Sequence, residues 1–219
     1  MSLSPAAAAL KPRRSQAERR DQSERLLVHA TLAVVAERGV HAATFEEIGR
    51  AAGYSRGLAT QKFGSKRGLT EAVIAYLHRR RESILEADQV ADMPALDAVE
   101  HYLERHVRDL TQQHGGRAYF MLLSAALADA TSMREAFAAS HERVRVWLEA
   151  TLRRGQRDGD IRADVEPHTG ALMIGSLALG ISIQWLVDPH TDLEPLRATS
   201  IAALRRGLAN PSPSPRPPS

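Results

Sequence analysis

The chain contains no cysteine. That removes disulfides, thiolate nucleophiles and cysteine-based zinc sites from consideration, and nothing calls for an oxidising compartment. Aromatic residues are only 5% of its 219 residues, while alanine and leucine abound, a balance that favours helices over strands. Valine and isoleucine are scattered at helical spacing rather than in alternating runs, so an all-α fold is expected. Long apolar runs are missing too. The stretch 171–187 falls short of the ~20 residues that cross a bilayer, and Ser176, Ser182 and Gln184 interrupt it. The stretch from Ala6 to Leu10 is too short for a secretory signal core. A soluble, cytoplasmic protein with no membrane partner is the expectation.

Catalytic signatures are equally scarce. The sequence has no nucleophile elbow, no phosphate loop and no paired metal-ligand spacing. His101 and His106 are five apart, off the three-or-four spacing that puts two ligands on one helical face. No enzymatic activity, metal or cofactor is expected.

What is present is an uneven charge. Residues 1–90 carry 15 Lys and Arg against 10 Asp and Glu, whereas the remainder carries 14 against 16. A basic first part on a slightly acidic body suggests a polyanion partner for the former. Residues 1–15 are rich in Ala, Pro and Ser and include Lys11, Arg13 and Arg14, so they read as a disordered basic arm. Residues 210–219 hold five prolines and read as a disordered tail.

Between them the apolar periodicity predicts about nine helices. The first runs from Gln16 to Arg38 and stops at Gly39. The second starts at Thr44, which with Glu47 has the spacing of a capping box, and turns at Gly53. Ser55 caps a third, ending at Gly64, and Ser65 caps a long fourth. Pro94 opens a fifth, striped by Leu96, Val99, Leu103, Val107 and Leu110, and Gly115-Gly116 breaks the chain after it. Tyr119 to Leu127, apolar on nearly every side, reads as a central buried helix. The seventh carries Phe137, His141, Val144, Leu148 and Leu152 and ends near Gly155; a Gly/Asp-rich loop leads to an eighth over 168–187 and a ninth over 193–208.

Two short capped helices joined at Gly53 have the pattern of a helix-turn-helix, with the second projecting outward on the first. That second helix offers Ser55, Arg56, Thr60, Gln61 and Lys62 among the small residues Gly57 and Ala59, donors of the kind that base edges and phosphates accept. The spacing of Thr44, Ile48, Ala52, Gly53, Ser55, Gly57, Phe63, Ser65, Lys66 and Leu69 resembles the N-terminal signature of the TetR family of transcriptional regulators. The chain departs from it at Gly49, Tyr54 and Thr60, where alanine, valine and tyrosine are usual. The segment from Gly159 to Pro167 resembles a loop that often precedes the family's eighth helix.

The resemblance implies an N-terminal helix-turn-helix DNA-binding domain over 16–64 and a larger helical ligand-binding and dimerisation domain over 65–209. It implies that Thr44 and Lys66 bind phosphate and that Arg56, Thr60, Gln61 and Lys62 face the major groove, with Ser55 and Gly57 at the start of the same helix. The implied activity is that of a repressor releasing a double-stranded DNA operator on binding a small effector. Activation by the same fold, non-specific DNA coating and a purely structural interaction module remain alternatives. A ligand pocket between the fourth and seventh helices would draw on Tyr102, His106, Tyr119, Phe120, Met121, Met133, Phe137, His141 and Trp147, and a largely apolar effector is expected. For a homodimer interface the last two helices supply Leu172, Gly175, Leu179, Trp185, Leu196, Ile201, Leu204 and Leu208.

Overall fold

Ser15 opens the described chain with a full capping box, its side chain accepting from the Glu18 N–H while Glu18 reaches back to the Ser15 N–H. The serine assigned to the arm is therefore a helix cap. The computed structural model describes residues 15–112, 114–128 and 133–211. The rest of the expected arm, and the expected tail from residue 212, lie outside the described residues.

Nine α-helices are found among the described residues, with no strand. They are α1 (Gln16–Arg38), α2 (Phe45–Ala52), α3 (Arg56–Phe63), α4 (Lys66–Ala87), α5 (Ala95–Gln112), α6 (His114–Ala128), α7 (Met133–Asp158), α8 (Pro167–Val187) and α9 (Leu193–Leu208). Short 3-10 turns at Val40–Ala42 and Val90–Asp92 lie in the connections from α1 to α2 and from α4 to α5. The helices α1, α2 and α3 pack on one another and on the start of α4. One apolar core then continues through α4, α5, α6, α7, α8 and α9, because α1 also packs along α6. His29 of α1 adds a bond to Tyr76 of α4 at 3.0 Å, ring edge on ring face.

Several expectations change in detail. Thr44 caps α2 by accepting from the Glu47 N–H, but Glu47 does not complete the box; its carboxylate is held between Arg38 and Arg50. Gly115 and Gly116 do not break the chain, for they lie in the first turn of α6. A Cβ on Gly116 would sit 2.6 Å from the Asp109 carbonyl oxygen, so its role is close approach to the end of α5. Gly155 likewise does not end the seventh helix. That helix continues to Asp158, and the terminator is Gly159 with φ +81°. Leu127 is 58% exposed, so the sixth helix is buried along one side rather than all round.

The Gly159–Val165 loop ties distant elements together. Asp160 accepts from the Leu96 N–H and so caps α5, Ile161 is buried, and Asn210 donates to the Asp160 carbonyl. The chain thus stays anchored as far as Asn210, the first residue of the expected tail. In α8 the 21 residues have a mean hydropathy of 1.7 over the most apolar window. Length and composition alone would let this helix cross a bilayer, as they would many a core helix, and it begins one residue before the expected 168. It packs on α5, α6, α7 and α9, and Ser182 bonds within the core to His106 at 2.7 Å.

Candidate functional site

Glycine and hydroxyl caps shape the first region. Gly53, with φ +74°, reverses the chain after α2, and the Tyr54 N–H closes the turn on the Gly49 carbonyl at 2.8 Å. Gly49 is buried there, and a Cβ would lie 2.9 Å from the Tyr54 carbonyl oxygen. The departure from alanine at this position thus accompanies a tight turn. Ser55 caps α3 through the Leu58 N–H, and Ser65 caps α4 through the Gly68 N–H. Ile48 and Ala59 anchor the two short helices to the core.

The remaining faces are open. Thr44, Ser55, Arg56, Gly57, Thr60, Gln61 and Lys66 are all exposed. Thr60 places its hydroxyl on the Arg56 carbonyl at 3.0 Å, leaving an oxygen lone pair outward. Lys62 departs from the expected arrangement. Its ammonium donates to the Arg20 carbonyl at 2.7 Å, lies 3.7 Å from Glu24, and its side chain is only 11% exposed. It latches α3 to α1 through that carbonyl, with the Glu24 carboxylate beside it. Thr44 and Lys66 stand at the N-termini of α2 and α4, where free N–H groups favour anions.

The second region is a cavity of about 210 Å³ enclosed by α4, α5, α6, α7 and α8. Of the expected residues, Tyr102, His106, Tyr119, Phe120 and His141 line it. Phe137, Met121, Met133 and Trp147 do not: Phe137 is 2% exposed beneath Tyr119, Trp147 packs on the Tyr102 ring, and the methionines are packed against the core. Sequence reasoning missed the contribution of α4, namely His78, Arg80 and Arg81, as well as Asp109 and Ser140. Charged and polar groups thus join a wall that is still largely apolar. The clustered arginines at 79–81 were the available signal.

Hydrogen bonds organise this wall. The Ser140 hydroxyl is hydrogen-bonded to both His78 at 2.6 Å and the Tyr119 hydroxyl at 2.8 Å. Arg81 lies over the Tyr102 ring, 5.8 Å from its centroid. Burial first, and then the positive charges of Arg143 and Arg81, hold His78 down at about 4. His106 is pushed to about 3, again by burial and then by Arg81. Both imidazoles are neutral near pH 7. His141, at the open edge, is also lowered by partial burial and Arg81. No cluster of three or more metal-ligating side chains occurs among the described residues.

The third region is the outer side of α8 and α9. Leu172, Met173, Ile183 and Val187 are exposed along α8, and neither Gly175 nor Gly180 has an atom where a Cβ would point. Leu172, Gly175 and Leu179 also edge the cavity. Trp185, Leu196 and Ile201 are half-buried. Leu204 and Leu208 are buried in the chain's own core, so they cannot serve as an interface. The leucine stripe of α9 turns inward on α5, where Arg205 pairs with Asp97 and Glu100, and its outer side carries Ala198, Ala202 and Ala203.

Residues 27–73 match the family described as bacterial regulatory proteins, tetR family. Residues 95–210 match the BetI-type transcriptional repressor, C-terminal. The HTH-type transcriptional regulator BetI of Serratia proteamaculans is 49% identical over 51 residues, 23% of this chain and 26% of that protein. Its Yersinia pestis counterpart is 43% identical over 53 residues, 24% of this chain and 27% of that protein. The matched stretch thus spans about a quarter of these relatives' own length. Among solved structures, Escherichia coli NemR in its reduced form superposes with a TM-score of 0.73 at 20% identity, covering 87% of this chain and 99% of that one. NalD, the secondary repressor of the MexAB-OprM multidrug efflux pump in Pseudomonas aeruginosa, does so with 0.67 at 21% identity, covering 88% and 100%. At such identities the likeness concerns the fold.

Proposed function

Because this chain belongs to the TetR family of bacterial transcriptional regulators, we propose that it is a cytoplasmic repressor that binds a palindromic operator as a homodimer and leaves it when a small effector fills the cavity. The observation that carries the reading is the exposed side of α3. Arg56, Thr60 and Gln61 stand clear of the protein on a helix whose inner side is anchored by Ala59. Arginine can pair bidentately with guanine and glutamine with adenine, each good pair contributing roughly 1–3 kcal/mol of discrimination. Thr44 and Lys66 flank that helix and suit phosphate oxygens, which fix register without reading sequence. Lys62 is not among the readers in this proposal, since its ammonium is already engaged by α1.

The route from effector to DNA runs through α4. Its first residue, Lys66, is at the DNA-facing end, and Arg81 and His78 reach the cavity. At 1.5 Å per residue these ends are about 22 Å apart on one rigid element. A ligand that prefers one tilt of α4 would shift the separation of two heads in a dimer, and only such a preference can release DNA. The BetI-type match over the body supports repression rather than activation.

The test is selection of fragments of the source genome by the purified full chain at moderate salt. Enrichment of one palindrome with half-sites a helical turn or its multiple apart is expected. Binding that weakens with salt equally for all fragments would replace this reading by non-specific DNA coating.

A further inference from the structure

Resting on the reading of the cavity as an effector site, we propose that the ligand is a small organic anion. Its carboxylate would pair with Arg81, and its aromatic or branched body would pack on Tyr102, Tyr119 and Phe120.

The charges lining the cavity do not balance. Arg81 and Arg80 line it, and neither has a carboxylate within ion-pair distance among the described residues. Arg145, a third cation on the wall, is already paired with Glu142 and Glu149. Asp109 is the single carboxylate of the lining among the described residues, and it lies 3.5 Å from Arg105. Arg80 and Arg81 are thus both left without a carboxylate, and Arg81 meets only the ring and hydroxyl of Tyr102, an arrangement that a bound carboxylate would complete. Arg81 lowers His78, His106 and His141, so its field reaches across the whole site. With those imidazoles neutral, they offer hydrogen bonds rather than further charge.

A cationic ligand meets the opposite situation. The face of Tyr102 that would attract it is already covered by a guanidinium, and the one acid of the lining among the described residues, Asp109, already faces the Arg105 guanidinium across 3.5 Å, its Oδ1 making no hydrogen bond. Size narrows the class further. A cavity of ~150 Å³ admits benzene, so about 210 Å³ holds a single ring or branched chain with a short acid arm.

The experiment is calorimetric titration of the purified full chain, without DNA. The probes are 3-phenylpropanoate and 4-methylpentanoate, the amide of each, and 3-phenylpropylammonium. At least one carboxylate should bind tenfold or more tighter than its amide, and the ammonium weakest of all. Arg81→Met should weaken that carboxylate roughly ten- to a hundredfold, to the level of its amide, while Arg81→Lys keeps part of the preference. Equal binding of acid and amide, tightest binding of the ammonium, no binding of either carboxylate at millimolar concentration, or an undiminished preference in Arg81→Met overturns the proposal. If Arg81→Met fails to fold by circular dichroism, the acid-to-amide ratio of the unaltered chain still decides. With no DNA in the cell, a failed operator selection leaves this result standing, and a successful one does not rescue it.

Discussion

Arg56 and Lys62 stand two turns apart on one short helix, and their charges do different things. Arg56 is open to solvent, whereas Lys62 is folded onto the Arg20 carbonyl. Arg56→Ala should therefore cost operator affinity by roughly 1–3 kcal/mol and leave the melting temperature nearly unchanged. Lys62→Ala should lower the melting temperature by the loss of one charge-assisted bond, about 1.5–3 kcal/mol at most, with little change in which sequence is preferred. Fluorescence anisotropy on matched and mismatched duplexes, beside thermal melts, separates the two. Reversed outcomes would mean that Lys62 leaves α1 when DNA arrives. A second side-chain prediction concerns acid. His106 titrates near 6.5 when unfolded but only at about 3 in the core, where burial and Arg81 oppose its charge. Between those values the unfolded chain binds the proton and the folded chain does not. Its contribution is thus complete above about pH 6.5 and declines as pH falls towards 3, by up to roughly 1.4 kcal/mol per pH unit. His106→Gln should flatten the acid side of a stability-versus-pH curve; an unchanged slope would remove His106 from the account.

At the scale of helices and loops, the glycines carry the lesson. Gly53 and Gly64 punctuate helices because their backbones take positive φ. Gly155 does the reverse. It lies inside α7, where an added methyl would be 2.5 Å from the Ala95 Cβ and closer still to Ile161. Gly155→Ala should destabilise the chain by roughly 1–3 kcal/mol through overpacking, seen as a lower denaturant midpoint with the slope unchanged. A neutral or stabilising result would mean that the Asp160–Ile161 loop can move away freely, against its bonds to α5 and to Asn210. The sequence shows glycine in both settings alike, since turn and close approach demand the same missing Cβ.

For the molecule as a whole, the unsatisfied surface is the outer side of α8. Leu172, Met173, Ile183 and Val187 form an exposed apolar stripe, and Val187 is 79% exposed. Burying such a stripe against its own two-fold copy is the simplest way to cover it. Ile183 faces solvent and is outside the cavity lining, so Ile183→Glu should convert a dimer to monomer in analytical ultracentrifugation while the helical content persists. Operator affinity should fall with it, since each head alone reads one half-site. A variant that remains dimeric would point to another face. The charge pattern also acquires its meaning at this scale. Arg79, Arg80 and Arg81 count towards the basic first part of the sequence, yet Arg80 and Arg81 lie at the cavity, on the far part of α4 from Lys66.

The linear sequence determined the helices and the capped pair that presents α3. Those depend on neighbours within a few residues: Thr44, Ser55 and Ser65 at the caps, Gly53 at the turn, and apolar spacing that buries Ile48 and Ala59. Tertiary packing alone decided which outward-looking side chains are free. Lys62 was claimed by α1, Leu204 and Leu208 by the chain's own core, and Phe137 by the layer beneath Tyr119. It also brought His78 and Arg81 of α4 against Tyr102, Tyr119 and Ser140. Periodicity tells which side of a helix is apolar, but not which neighbour meets it. Pockets and latches arise from contacts between residues far apart in the chain, and those are set by how whole helices stack.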